Sequence, residues 1–564
     1  MDKLWLEHYP PGTPAEIDPD QYRSLKELVE RALLEHAGRP AFTNQGRTLT
    51  YADIDRLSAR FGAWLQVEAG LGRGDRVAIM MPNLLQYPIA MFGAMRAGLT
   101  VVNVNPLYTA RELEHQLNDS GARVVVIYEG ACHALEKALP ATGIEKVVVT
   151  GIGDLLGFPK GPVVNFVVRK LKKLVPAWNL PGHLRFTEVL ARGAAHRLKP
   201  VEVGPEDVLF LQYTGGTTGV SKGAVLSHRN LVANTLQMIA WLPELQAEGE
   251  SVVITALPLY HIFALTTNCL VFTAVGGENV LITNPRDLKG FVAELSRVRF
   301  SFITGVNTLF NGLLNTPGFE KIDFSRLKVA FGGGMAVQAA VSERWKALTG
   351  RHICQGWGLT ETSPVATANR PKDEEFNGSI GLPMPSTELS IRNDAGEEVA
   401  IGEVGEICVR GPQVMQGYWN RPEETAKVML PEGWLRTGDV GRMDTRGFTW
   451  IEDRKKDMIL VSGFNVYPNE VEGVVAALPG VLEVAAVAQP DPRSGESVAL
   501  FVVRKDPALT ERDILAHCRE QLTGYKMPQA IHFRDELPKS NVGKILRREL
   551  RDEVQRLAGG NSTG

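Results

Sequence analysis

Between Tyr213 and Gly223 the chain reads YTGGTTGVSKG, with four glycines, three threonines, a serine and a lysine set between two apolar runs. Glycines let backbone N–H groups come close to an anion, the hydroxyls of Thr214, Thr217, Thr218 and Ser221 add donors, and Lys222 adds a positive charge. A polyphosphate asks for that chemistry. The pattern is not the loop G-x-x-x-x-G-K-[ST], because Lys222 follows Ser221 and precedes Gly223 and no helix cap comes after it. A ligand-free Gly/Thr hairpin is the plain alternative, yet a turn needs one or two glycines rather than four spaced among hydroxyls.

Further stretches carry reactive or binding side chains. Val329 to Met335 reads as a strand entering the triple glycine Gly332-Gly333-Gly334, whose flat backbone a planar base could approach, although a tight strand-to-helix turn would need the same residues. Gly356-Trp357-Gly358-Leu359-Thr360-Glu361 sets a hydroxyl beside a carboxylate, and hard oxygen ligands of this kind suit Mg²⁺. Gly438 presents Asp439 at a strand end, where the carboxylate could accept ribose hydroxyls or close an Asx turn. His261 stands alone among apolar residues, more often the setting of a core histidine than of a catalyst. Lys544 lies in a polar turn, PKSNVGK, where a lysine is ordinarily a surface residue. No Ser-His-Asp or Cys-His arrangement is recognisable.

Together with MMPNLLQYP near the start and ELPKSNVGKILRREL near the end, these motifs resemble those of the adenylate-forming enzymes, the superfamily of acyl-CoA synthetases, aryl-CoA ligases, luciferases and peptide-synthetase adenylation domains. Along its whole length the chain is similar to bacterial long-chain fatty-acid–CoA ligases. The resemblance implies a ligase that takes ATP, Mg²⁺ and CoA and works in two steps, adenylation of a fatty acid and then transfer to the thiol, in fatty acid uptake and β-oxidation. It implies ATP contacts from Tyr213, Thr214, Gly215, Gly216, Thr217, Thr218, Gly219 and Lys222, from Gly332, Gly333 and Gly334, and from Gly356, Trp357 and Gly358. It assigns Thr360 to the α-phosphate, Glu361 with Thr214 to the metal, Asp439 to ribose and Arg454 to the nucleotide. It sets His261 and Gly334 beside the acyl channel, makes Lys544 the lysine that bridges carboxylate and nucleotide, and gives Ser462 and Gly463 to the CoA path. A medium-chain or aryl-CoA ligase, a luciferase-like oxidase and a catalytically silent relative are the alternatives.

Something must position residues spread over more than 300 places in the chain. From residue 20 to about 200 strand-like and helix-like runs alternate: helices over Tyr22 to His36, Tyr51 to Ala69, Leu84 to Ala97 and Ala110 to Ser120, strands over Val77 to Met81, Val101 to Val104 and Val124 to Ile127. Alternation of this kind predicts an α/β architecture with a largely parallel sheet. At 564 residues the chain is too long for one core. The expected organisation is a large compound N-terminal domain over 1–452, with αβαβα-type sheets and a small β-barrel, a charged hinge over 453–457, and a smaller mobile α+β domain over 458–564.

A net charge of −3 and scattered basic residues speak against nucleic acid as a partner. Five dispersed cysteines without a C-x-x-C pair predict reduced thiols in a cytoplasmic protein. The N-terminus, with its acidic residues and early Pro10, does not read as a secretory signal. The longest apolar region, Val77 to Val104, is broken by Pro82, Pro88 and Arg96 and falls short of the ~20 apolar residues of a spanning helix. Val163 to Val175 predicts a basic amphipathic helix, with Arg169, Lys170, Lys172 and Lys173 beside Val164, Val167, Val168, Leu171, Leu174 and Val175. Such a helix either packs on its own domain or lies on an anionic bilayer, here the inner face of the plasma membrane. A homodimer is compatible with the sequence.

Overall fold

A computed structural model describes residues 3–214, 221–245, 251–373, 375–540 and 542–560. Two large sheets form the body of the N-terminal part. In one, Lys222–Ser227, Val208–Thr214, Thr100–Asn103, Arg76–Met80, Val124–Tyr128 and Lys146–Thr150 lie side by side, parallel except for the pair Val208–Thr214 and Lys222–Ser227. In the other, Ile353–Gly358, Val329–Gly332, Phe302–Gly305, Val252–Thr255, Glu278–Leu281 and Pro40–Asn44 are parallel neighbours. Strands covered on both faces read as unbroken apolar runs, which is why Val77, Ala78, Ile79 and Met80 are all fully buried.

The helices follow the expected periodicity with trimmed ends: Leu25–Glu35, Tyr51–Val67, Gln86–Arg96 and Ala110–Ser120. Thr50 with Asp53, and Thr109 with Glu112, close reciprocal capping boxes that fix where two of them start. Gln86–Arg96 is apolar almost all round because it lies inside the core, and only Arg96 of its residues escapes full burial.

The small β unit expected as a barrel is an antiparallel sheet of four strands, in the order Glu388–Arg392, Gly405–Arg410, Leu435–Met443, Thr449–Arg454, whose end strands do not pair with each other. Four strands are too few to close around a core of side chains. The last of them runs through Asp453 and Arg454, and Lys455 to Asp457 form the turn into the C-terminal unit. That unit builds a five-stranded sheet from Ile459–Val461, Phe464–Val466, Val481–Asp491, Gly495–Arg504 and Pro528–Arg534, with helices Pro468–Ala476, Glu511–Gln521 and Arg547–Gly560 against it.

The basic segment is helical from Lys160 to Phe166 and continues as a π-turn over Val167–Leu171. Its stripe does not turn inward as a whole. Gly161 and Val168 are buried and Val164 packs on the core, whereas Val163, Phe166, Leu171 and Leu174 are exposed, and Phe158 just before the helix is 91% exposed. Arg169 is not a free surface cation: it lies 2.7 Å from the buried carboxylate of Glu129. All five cysteines are free and buried.

Candidate active site

Tyr213 and Thr214 end the strand Val208–Thr214, and Thr214 pairs across the hairpin with Lys222. Gly215, Gly216, Thr217, Thr218 and Gly219 lie outside the described residues. The Tyr213 hydroxyl donates to Asp119 Oδ2 at 2.7 Å, and Arg421 holds the other oxygen of Asp119 at 2.7 Å. Lys222 Nζ donates to Glu424 at 2.8 Å and stands 4.6 Å from the centre of the Tyr418 ring. The hydrogen bond from Lys222, backed by Lys427, pulls the half-buried Glu424 carboxyl down to about 2.

Tyr418 also reaches Glu361: its hydroxyl donates to Oε1 at 2.6 Å. Burial first, and then the Glu361 charge, push this phenol well above its usual range, so it stays a donor at neutral pH. Thr360 and Glu361 begin a short 3₁₀ turn, Thr360–Thr362, and Met415 N–H donates to the Glu361 carbonyl at 2.8 Å. A cavity of ≈310 Å³ opens beside them, lined by Glu361, Tyr418, Arg436, Thr437, Gly438 and Lys455. Its size suits a small ligand. Among the described residues no three acidic, histidine or cysteine side chains cluster as a metal cage. Glu361 therefore offers a single carboxylate with one oxygen bonded to Tyr418, a donor set that fits Mg²⁺ if phosphate oxygens and water complete the shell.

Asp439 and Arg454 face each other because their strands pair in that register. Asp439 is buried: Oδ2 accepts from Trp357 Nε1 at 2.8 Å, while Oδ1 lies 3.0 Å from Arg454 Nε without hydrogen-bond alignment and has no other donor. A buried carboxylate oxygen left this way is ready to accept from a ligand hydroxyl.

Lys544 reaches the same place from the C-terminal unit. Its loop is pinned by Ser540, whose Oγ accepts from Lys544 N–H at 3.1 Å, and by Thr308 Oγ1, which donates to the Gly543 carbonyl at 2.9 Å. The side chain lies against Gly334, where a Cβ would come within 3.0 Å of Lys544 Cε, and Gly334 has φ +77°. Burial and the nearby Arg454 charge push the ammonium down to about 8, against the pull of Asp439 and Glu361. His261 caps the helix beginning at Ile262, its Nδ1 accepting from Phe263 N–H at 3.3 Å. Burial, then Lys544, push this imidazole down to about 3, so it is neutral at physiological pH.

The glycines divide by what surrounds them. Gly334 faces Lys544, but a Cβ on Gly358 would strike the Pro364 carbonyl at 1.8 Å, and one on Gly356 would meet the Phe331 ring at 2.4 Å. Those two are glycines for the protein's own packing. Gly332 and Gly333 are hemmed by Val337 and Ile353 and by Phe263. Ser462 and Gly463 form a positive-φ turn between Ile459–Val461 and Phe464–Val466, where nothing lies within 4 Å of a Cβ on Gly463. They are not gathered with Lys544.

Sequence reasoning passed over Asp119, Tyr418, Arg421 and Glu424. The run Gly417-Tyr418-Trp419-Asn420-Arg421, aromatic and basic in a turn, was the available signal. Its meaning depends on the partners that folding brings, with 302 residues between Arg421 and Asp119, just as 202 separate Glu424 from Lys222.

Residues 29–419 match the model of the AMP-binding enzyme family and residues 470–544 that of the AMP-binding enzyme C-terminal domain. The chain is 56% identical over 555 residues to a long-chain-fatty-acid–CoA ligase of Escherichia coli O157:H7, covering 98% of this chain and 99% of the relative. It is 52% identical to one of Haemophilus influenzae, covering 98% and 99%. The fold is similar to that of an anthranilate CoA ligase in complex with anthranoyl-AMP, with TM-score 0.85 and 26% identity over 96% of this chain and 100% of the other. Family match, near-full-length identity and shared fold agree that this chain belongs to the AMP-binding enzymes.

Proposed function

We propose that this chain is an AMP-forming long-chain fatty-acid–CoA ligase. The fatty acid carboxylate attacks the α-phosphorus of ATP, a C–O–P linkage forms and pyrophosphate leaves. The CoA sulfur then attacks the acyl carbonyl, the C–O bond to AMP breaks and the thiol proton passes to solvent. The identity shared with long-chain-fatty-acid–CoA ligases over nearly the whole chain supports the substrate class. The observation that carries the reaction is the Lys544 ammonium, brought against Gly334 into the field of Asp439, Arg454 and Glu361.

No protein nucleophile is needed, because transfer at phosphorus rests on positioning and charge neutralisation. Asp439, through its undonated Oδ1, binds ribose, with Trp357 and Arg454 fixing its orientation. Lys222 and the loop before it meet the β- and γ-phosphates, and Thr360 meets the α-phosphate. Lys544, charged below about pH 8, balances the negative charge that builds between carboxylate and phosphate. Neutral His261 lines the carboxylate end of the channel without adding a second cation and without acting as a base, since the acid is already ionised. Glu361, with Thr214, would hold Mg²⁺, which when bound neutralises phosphate charge. After adenylation the C-terminal unit changes place about residues 453–457, withdrawing Lys544 and presenting Ser462 and Gly463 to the CoA arm.

The chain meets its poorly soluble substrate at the inner surface of the plasma membrane. Support comes from Phe158, Val163, Phe166, Leu171 and Leu174, exposed within one 17-residue stretch that also carries Lys170, Lys172 and Lys173. No described helix is long and apolar enough to cross a membrane. The test of the activity is AMP release with CoA and acids of graded chain length: long saturated acids should give the highest kcat/KM, and a preference for benzoate-type acids would overturn the reading.

A further inference from the structure

Asp453 ties together the two halves of the molecule at the point where the chain passes between them. It belongs to the strand Thr449–Arg454 and is paired with Val440 in the N-terminal sheet. Neighbours on a strand point to opposite faces, so Arg454 turns to Asp439 while Asp453 turns to the C-terminal unit. There it is 1% exposed. Its Oδ2 accepts from Asn469 N–H at 2.9 Å, in the first turn of the helix Pro468–Ala476, and its Oδ1 accepts from Arg547 at 3.3 Å, at the first residue of Arg547–Gly560. A carboxylate at a helix N-terminus and beside a guanidinium is favoured by both.

Arg547 is also held by two bonds to Glu472 at 3.0 and 2.7 Å and one to Asn469 Oδ1 at 2.6 Å, with the Asp457 carboxylate of the connecting turn 3.8 Å away. Asp453 is the carboxylate by which this network reaches across to the other sheet. Arg547 lies three residues after Lys544, and Asp453 one before Arg454. Burial raises the Asp453 carboxyl to about 6, against the pull of Arg547, which leaves it ionised at neutral pH.

We propose that Asp453 is a positioning residue for the first step, a latch that holds the C-terminal unit where Lys544 reaches Gly334 and that releases before the thioester step. This rests on the reading that the C-terminal unit changes place between steps. Asp453 touches neither nucleotide nor acid, so its loss acts on the balance between arrangements and not on both reactions alike.

The test uses the full-length enzyme with Asp453→Asn, and Asp453→Glu as a second variant that keeps the charge but displaces it by a methylene. Oleate-dependent ATP–pyrophosphate exchange and CoA-dependent consumption of supplied oleoyl-AMP are measured separately. Crosslinking by a short bis-maleimide is followed between cysteines introduced at Asn311 and Leu482, which are joined across the units by a 2.8 Å bond. Exchange should fall at least tenfold in Asp453→Asn and less in Asp453→Glu, oleoyl-AMP consumption should stay within twofold of the parent or rise, and crosslinking should drop. Equal loss of both half-reactions, or undiminished exchange and crosslinking, would overturn the latch. Lys544→Ala in the same assays separates the two ideas. If it loses both half-reactions, the reading of two arrangements fails; if it loses only the first while Asp453→Asn loses neither, the latch alone fails.

Discussion

Gly334 and Lys544 meet across the boundary of the two units, the lysine Cε 3.0 Å and its Nζ 3.6 Å from where a glycine Cβ would stand. The glycine also has φ +77°, a conformation that costs an L-residue roughly 1–2 kcal/mol. Gly334→Val should combine that strain with displacement of the lysine. Pyrophosphate exchange is expected to fall by more than an order of magnitude while the melting temperature moves by only a few degrees, and an unaltered exchange rate would show that Lys544 does not work from this position.

The ammonium of Lys544, pushed down to about 8, predicts a pH dependence with a definite sign. Below that pH the group is charged and competent; above it the charge is lost. The kcat/KM for adenylation should therefore decline as pH rises through about 8. Lys544→Arg, slower throughout, should show no such decline between pH 7 and 10, because a guanidinium does not titrate there.

Two further variants separate the steps. If the Lys544 charge serves only the transfer of the adenylyl group, Lys544→Ala should lose about 3 kcal/mol or some 10²-fold in adenylate formation. It should still convert supplied acyl-AMP and CoA at near the parent rate. Gly463→Leu, placing a side chain in an open turn, should form adenylate and fail to thioesterify it.

Glu361→Gln retains an acceptor for the Tyr418 hydroxyl, now 2.6 Å from Oε1, and drops the charge. If Glu361 holds Mg²⁺, the concentration of the ion giving half-maximal pyrophosphate exchange should rise about tenfold, equivalent to about 1.4 kcal/mol. An unchanged magnesium titration would mark Glu361 as a structural partner of Tyr418 alone.

Replacing Lys170, Lys172 and Lys173 with glutamate should weaken sedimentation with phosphatidylserine vesicles by about 1 kcal/mol per charge removed. Replacing Phe166 and Leu171 with serine should weaken it in neutral vesicles as well, where charge plays no part. Unchanged binding in both sets would place the membrane contact elsewhere or abolish it.

Alternating apolar runs were enough to set out a largely parallel sheet and the helices beside it to within a few residues, because hydrophobic period is a local property of the chain. The motifs and their order, by their resemblance to those of the adenylate-forming enzymes, were enough to indicate the family. The inward and outward faces of residues 160–174 were not legible, since periodicity shows that a stripe exists and not what it packs against. Nor were the partners of the site. Lys222 meets Glu424 and Tyr418, and Tyr213 meets Asp119, only because distant segments fold beside the strands Val208–Thr214 and Lys222–Ser227. Asp439 opposes Arg454 through strand register, and Lys544 lies against Gly334, 210 residues earlier in the chain, through the packing of one unit on another. A side chain's charge is written in its residue type, but the field around it, which brings Lys544 to about 8 and His261 to about 3, exists only once burial and neighbours are in place.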